Sequence, residues 1–227
     1  MVFEYIISQI AVVVFGVTAV LAISHKGTDL FGVLFLGFIT ALGGGTIRDL
    51  ILDVPVFWTN DLLYVYTALG GSFAAFLFFR VFSKSSSYLL MLYLDGLGVA
   101  LFSVQALHKT WALNIGVPLV PIFMGVITSI GGSIIRDVVA GRVNLLMRRE
   151  LYANPILIGC IADACLLSWG FSVHCAGIVG ILVCFIIRAA AIHWNLTIPS
   201  FLMLKSDTGG KTLSIKTSDI VPPKDFK

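Results

Sequence analysis

Apolar residues dominate seven stretches of the chain, at 2–24, 30–52, 62–82, 88–107, 115–140, 151–169 and 173–194, and polar residues are confined to what separates them. Most of these stretches approach the ~20 residues that a helix, rising about 1.5 Å per residue, needs to cross the hydrocarbon core of a bilayer. The connectors are short: His25-Lys26-Gly27-Thr28-Asp29, 53–61, 83–87, His108-Lys109-Thr110 and 141–150, with the weakest break at 170–172. The pattern predicts an all-α integral membrane protein with seven transmembrane helices. Residues 205–227 are polar, carry Gly209-Gly210 and Pro222-Pro223, and read as a soluble, disordered tail.

Composition agrees. The chain of 227 residues is 58% hydrophobic and 12% charged, against about 25% charged in soluble domains. The net charge of +3 does not mark a nucleic-acid surface, because five Lys and three Asp from Lys205 onward supply +2 of it. Charge placement carries more information. With the N-terminus outside, the inner face holds Lys26, Arg80, Lys84, Arg142, Arg148, Arg149, Arg188 and the Lys-rich tail, while the outer connectors hold Lys109 with Asp53 and Asp61. That positive-inside bias predicts an outer N-terminus and a cytoplasmic C-terminus, and so an odd number of spans. The first stretch lacks a basic leader and a small-residue cleavage site, and is expected to be a span rather than a signal peptide.

A duplication organises the chain. Gly43-Gly44-Gly45-Thr46-Ile47-Arg48-Asp49 recurs 88 residues later as Gly131-Gly132-Ser133-Ile134-Ile135-Arg136-Asp137, and Gly37 matches Gly125 at the same offset. Each copy lies in the second helix of a three-helix unit. An odd number of spans per unit inserts the second copy upside down, so the repeats are inverted. The expected organisation is a first repeat over 1–86, a second over 87–171, a seventh helix over 172–204 and a cytoplasmic tail over 205–227. Glycine costs a helix interior about 1 kcal/mol relative to alanine. The two runs therefore read either as matched interruptions, a kink or unwound turn beside a midplane path, or as surfaces that let helices touch.

Charges inside apolar helices are costly and belong in a bundle interior or a wet cavity. Arg48-Asp49 falls in the outer half and Arg136-Asp137 in the inner half. Each arginine either controls access along a path or staples helices through a carboxylate. Neighbouring side chains on a helix diverge by about 100°, so Arg48 and Asp49 are not expected to pair with each other. Asp95 lies at the depth of Arg136 and is its expected partner across helices. Asp163 has no partner evident in the sequence. Ser8 occupies the place corresponding to Gly96, beside Asp95, so the halves differ chemically.

The remaining polar candidates lead nowhere catalytic. Gly210-Lys211-Thr212 lacks the upstream glycine of a phosphate loop. His25, His108, His174 and His193 share no metal spacing and read as interfacial. Cys160, Cys165, Cys175 and Cys184 read as small packing residues without disulfides, and Trp58, Trp111, Trp169 and Trp194 as an aromatic belt. No cofactor, metal or enzymatic chemistry is expected.

Taken in order, the run at 43–49, Pro55-Val56-Phe57-Trp58, Asp95-Gly96-Leu97-Gly98, the run at 131–137 and Arg148-Arg149-Glu150-Leu151-Tyr152-Ala153 resemble the bacterial duplicated membrane proteins labelled with a glycine-transporter domain, prokaryotic relatives of the trimeric intracellular cation channels. The resemblance spans roughly residues 3–195. It implies a seven-helix protomer in the inner membrane of a prokaryote, assembled as a homotrimer among membrane lipids. Each protomer would hold its own pore around the second and fifth helices, passing potassium and other monovalent cations. It carries pathway roles onto Gly43, Gly44, Gly45, Arg48, Gly131, Gly132 and Arg136. Ser133 departs from a full triple glycine. A passive cation channel is the leading expectation; a secondary transporter of a small amino acid such as glycine is the alternative, since inverted repeats serve both. Asp49, Asp95, Asp137 and Asp163 are the carboxylates expected to offset the arginines in a cation path.

Overall fold

The computed structural model describes residues 2–24, 26–79, 87–147 and 151–196. The tail, His25, Arg80, Lys84 and Arg148-Arg149-Glu150 lie outside the described residues. Among the described residues eight α-helices follow in order: α1 Val2–Ile23, α2 Leu30–Ile51, α3 Phe57–Asn60, α4 Leu63–Phe79, α5 Ser87–Ala112, α6 Leu119–Val139, α7 Ala153–Ser168 and α8 Val173–His193, with a 3-10 turn at Leu145–Met147. No strand occurs among the described residues. Five helices, α1, α2, α5, α6 and α8, are long and apolar enough to cross a membrane, and α4 and α7 are shorter apolar helices. These seven correspond to the seven apolar stretches.

Local chemistry sets the helix ends. The Asp29 carboxylate accepts from the Gly32 amide at 2.9 Å to start α2, and the Ser172 hydroxyl accepts from the Cys175 amide to start α8. Asp53 after α2 and Gly141 after α6, 88 positions apart, both adopt left-handed backbone, at φ 52° and 57°. In each case the next amide turns back to the helix, from Val54 to the Asp49 carbonyl and from Arg142 to the Asp137 carbonyl. The two halves thus terminate their second helices identically.

The long helices bury small and apolar faces inward and leave Phe31, Leu50, Val138, Leu182 and Ile186 exposed, an outer surface suited to lipid. Arg48, Arg136 and Arg188 are among the largest fully buried side chains. Contacts also show the inversion. The C-terminal end of α2 meets the C-terminal end of α5, through Arg48 and Gln105. The C-terminal end of α6 instead meets Thr18 late in α1 and Asp95 early in α5. The two second helices therefore run in opposite directions.

Two sequence expectations change. Both glycine runs are continuous α-helix, within α2 and α6, so no unwound turn interrupts them. His108-Lys109-Thr110 lies within the C-terminal end of α5 rather than in a connector, with His108 and Thr110 buried and Lys109 half-buried.

Candidate functional site

The glycines of the two runs are contact surfaces. A Cβ on Gly44 would stand 2.0 Å from the Thr128 carbonyl oxygen, and one on Gly132 would stand 2.4 Å from the Thr40 carbonyl oxygen. Thr40 and Thr128 are also 88 apart, so α2 and α6 cross backbone to backbone on the axis relating the halves. Gly43 faces Ile135, Gly131 faces Ile47, and Gly45 faces the Phe57 ring. Gly37 and Gly125 repeat the scheme against Ser72 and Cys160, another pair 88 apart. The close-packing reading of the runs is the one the geometry supports.

At the C-terminal end of α2, Arg48 Nε donates to Asp49 Oδ1 at 2.7 Å, and Lys109 Nζ from α5 reaches the same oxygen at 2.7 Å. Arg48 Nη1 donates to Gln105 Oε1, and its guanidinium lies 5.6 Å from the Phe57 ring centroid. Asp49 Oδ2 accepts from the Phe57 amide at 2.9 Å. The expectation that Arg48 and Asp49 diverge is overturned. In a buried site the arginine curls along its long stem to its nearest anion, because an unpaired charge costs more than the bend.

The same device recurs at the end of α6. Arg136 Nε donates to Asp137 Oδ1 at 2.9 Å, and Asp137 Oδ2 accepts from the Leu145 amide, which stands 88 after Phe57. Arg136 Nη1 also reaches Asp95 Oδ1 at 2.7 Å and Thr18 Oγ1 at 3.1 Å. The expected Arg136–Asp95 pair is present and fully buried. Asp95 Oδ2 and Arg136 Nη2 have no hydrogen-bond partner among the described residues. Position 7, the counterpart of Asp95, is Ile, and position 21, the counterpart of Lys109, is Leu. The first-half arginine therefore meets an extra cation and the second-half arginine an extra anion.

Ser133 hydrogen-bonds the Tyr152 hydroxyl at 2.7 Å. Its counterpart Gly45 leaves room for Phe57 instead, and Tyr64, the counterpart of Tyr152, pairs with Ser8 at 2.7 Å. Arg188 from α8 lies 4.8 Å over the Tyr152 ring and donates to the Leu151 carbonyl at 3.0 Å.

Beside the Arg48 cluster lies a cavity of about 590 Å³, lined by Glu4, Ser8, Tyr64, Gln105, Lys109 and Trp111 among others. It opens between the N-terminal ends of α1, α4 and α8 and the C-terminal ends of α5 and α7. Asp163, without a partner in the sequence reading, sits against His108 Nε2, 3.0 Å from Oδ2. His108 is buried there, not interfacial as expected. Sequence reasoning also passed over Gln105, Thr18 and Tyr64, and met Tyr152 only as part of the motif at 148–153. The two tyrosines were detectable as a matched pair at the repeat offset; Gln105 and Thr18 carry no such signal.

All four cysteines are free, with Cys160 and Cys184 buried. Trp169 and Trp194 are exposed at helix ends, whereas the Trp58 indole donates to Thr46 and Trp111 lines the cavity. Among the described residues no group of His, Cys, Asp and Glu is placed to hold a metal ion.

Known proteins resemble this arrangement over most of the chain. The family described as glycine transporter matches the chain twice, at residues 5–80 and 92–168. Inner membrane protein YadS of Escherichia coli strain K12 is 37% identical over 88% of this chain and 96% of its own. Among solved structures, the trimeric intracellular cation channel orthologue from Rhodobacter sphaeroides has a TM-score of 0.82 at 34% identity, covering 86% of this chain and all of that one. A structure described as explaining conductance through such cation channels has a TM-score of 0.76 at 32% identity, covering 88% and 97%.

Proposed function

This multi-pass membrane protein belongs to the duplicated glycine-transporter-domain family, the prokaryotic relatives of the trimeric intracellular cation channels, and on that premise we propose that it is a passive channel for potassium and other monovalent cations. It is no enzyme in this reading. It works as a homotrimer in the cell membrane, with one path in each protomer, an outer N-terminus and a cytoplasmic C-terminus.

The observation that carries the reading is the pair of buried charge clusters at opposite ends of the α2–α6 crossing. A path that starts in the 590 Å³ cavity reaches the Arg48–Asp49–Gln105–Lys109 cluster first. Past the crossing it meets Arg136, Asp95 and Asp137. A bare guanidinium in such a path repels cations. Here each arginine is drawn aside by its own neighbouring aspartate, which leaves cations a polar wall rather than a barrier. Asp95, with one carboxylate oxygen unpartnered among the described residues, offsets the charge of Arg136 on this route, and a wall of balanced polar groups suits conduction. Gly44 and Gly132, within the runs at 43–45 and 131–132, serve as the pivot on which α2 and α6 touch.

The test is reconstitution of the purified protein into planar bilayers and liposomes under a potassium gradient, with labelled glycine uptake measured in parallel. Unitary potassium currents without saturable glycine uptake are expected. Gradient-coupled, saturable glycine uptake without unitary currents would overturn the channel reading in favour of a transporter.

A further inference from the structure

We propose that the His108–Asp163 pair is a proton-operated regulator of this pathway, lowering cation flow when the compartment facing the N-terminal side turns acid. The proposal rests on the reading of the cavity beside Lys109 as the mouth of the ion path.

Neither residue belongs to the duplicated machinery, since their counterparts 88 positions earlier are Val20 and Ala75. The pair joins α5 to α7 and is seated in a niche cut into α8. A Cβ on Gly177 would stand 2.7 Å from His108 Cε1, and one on Gly180 would stand 2.9 Å from Asp163 Cβ. Imidazole is the side chain whose charge ordinarily changes between about pH 5 and 8. His108 Nε2 faces both Asp163 oxygens, at 3.0 and 3.1 Å, so this nitrogen is the one the pair shares. Its Nδ1 has no hydrogen-bond partner among the described residues, and His108 itself lines the cavity. A proton arriving through the cavity binds at Nδ1 and leaves a full positive charge next to Lys109, with Asp163 holding the imidazolium in place.

The surrounding charges allow this to be felt. Glu4 and Tyr5 of α1, Tyr64 of α4 and Lys109 of α5 share the cavity wall. Behind Lys109 stand Arg48 and Asp49 of α2, already paired. On α8, His174 and Cys175 are exposed in the first turn. Glu4 is the other group here that acid can neutralise, and its protonation changes the wall in the same direction. One added unit charge several ångströms from a hydrated path lowers local cation occupancy roughly two- to fourfold.

The experiment records unitary potassium currents in bilayers at about pH 7.5 and 5.5 for wild type, His108→Gln, Glu4→Gln and His174→Gln. In parallel, the ring nitrogens of histidine-labelled protein are followed by NMR over the same range. The expected result is a two- to fourfold fall in wild-type current at acid pH, kept in His174→Gln, kept for the larger part in Glu4→Gln and cut to the smaller Glu4 share in His108→Gln, together with titration of the His108 ring. An equal fall in His108→Gln, or a wild-type current indifferent to acid, overturns the proposal while leaving the channel reading intact. A His108 ring that keeps its proton state throughout overturns it whether or not currents are seen, and absence of any current at pH 7.5 counts against the channel reading itself.

Discussion

Gly44 of α2 and Gly132 of α6 stand in each other's way: a methyl group on either would enter the backbone of the opposite helix, 2.0 Å from the Thr128 carbonyl and 2.4 Å from the Thr40 carbonyl. Backbone cannot yield as a side chain can. Gly44→Ala or Gly132→Ala must push the helices apart, costing about 1–3 kcal/mol as overpacking does. A lowered melting temperature in detergent is the expected readout. Gly70→Ala is the control, because nothing lies within 4 Å of a Cβ there and its thermal midpoint should hold or rise.

The single departure between the glycine runs tests the same logic from the other side. Gly45→Ser makes the first run identical to the second at that position, yet a Cβ at Gly45 lies 2.5 Å from Phe57 Cε1. The ring must move, and with it the cation–π contact to Arg48. Ser133→Gly removes the hydrogen bonds to Tyr152 and to the Ile130 carbonyl within its own helix and adds backbone freedom, together about 1–2 kcal/mol. Gly45→Ser should therefore unfold at the lower temperature of the two; the reverse order would contradict the packing.

Arg136 and Asp95 form a fully buried pair between α6 and α5. Removing Arg136 strands Asp95, at about 3–5 kcal/mol, whereas removing Asp95 leaves Arg136 its Asp137 partner and costs less. The double variant Asp95→Asn, Arg136→Gln should lose less stability than the sum of the two single losses. A double-mutant cycle by thermal unfolding measures the coupling, and strict additivity would show that the pair contributes nothing.

Asp49 and Asp137 each hold a following loop through one carboxylate oxygen, bound to the Phe57 and Leu145 amides. In Asp49→Ala the Phe57 amide loses its acceptor and two cations lose their anion. A loss of about 2–4 kcal/mol is expected, visible as faster proteolysis after residue 52 in a limited-digestion time course. Asp137→Ala should expose the segment after residue 140 in the same way.

Lys109 is the cation at the cavity wall with no counterpart in the first repeat, where Leu21 stands. Lys109→Met should raise unitary potassium current at low ionic strength, roughly two- to fourfold. The gain should shrink in ~1 M salt, where charges are screened within about 3 Å. An unchanged current at low salt would place Lys109 off the ion path.

Much of this protein is decided by the order of its residues alone. The length and apolarity of the segments commit the chain to membrane helices, because only a helix satisfies its own backbone in lipid. The 88-residue repeat implies the inversion, and the depth of Asp95 and Arg136 along their helices was enough to pair them. Tertiary structure decided what depends on approach between segments. Whether a glycine run breaks a helix or seats another helix depends on what arrives opposite it, here Thr128 and Thr40. Whether Arg48 turns to its neighbour depends on how thoroughly water is excluded from the end of α2. His108 looked like a loop residue because polar neighbours surround it in sequence, and it became a buried partner of Asp163 only because Gly177 and Gly180 of α8 left space for both. A periodic pattern records which face of a helix is apolar; it does not record which polar groups meet once the faces close.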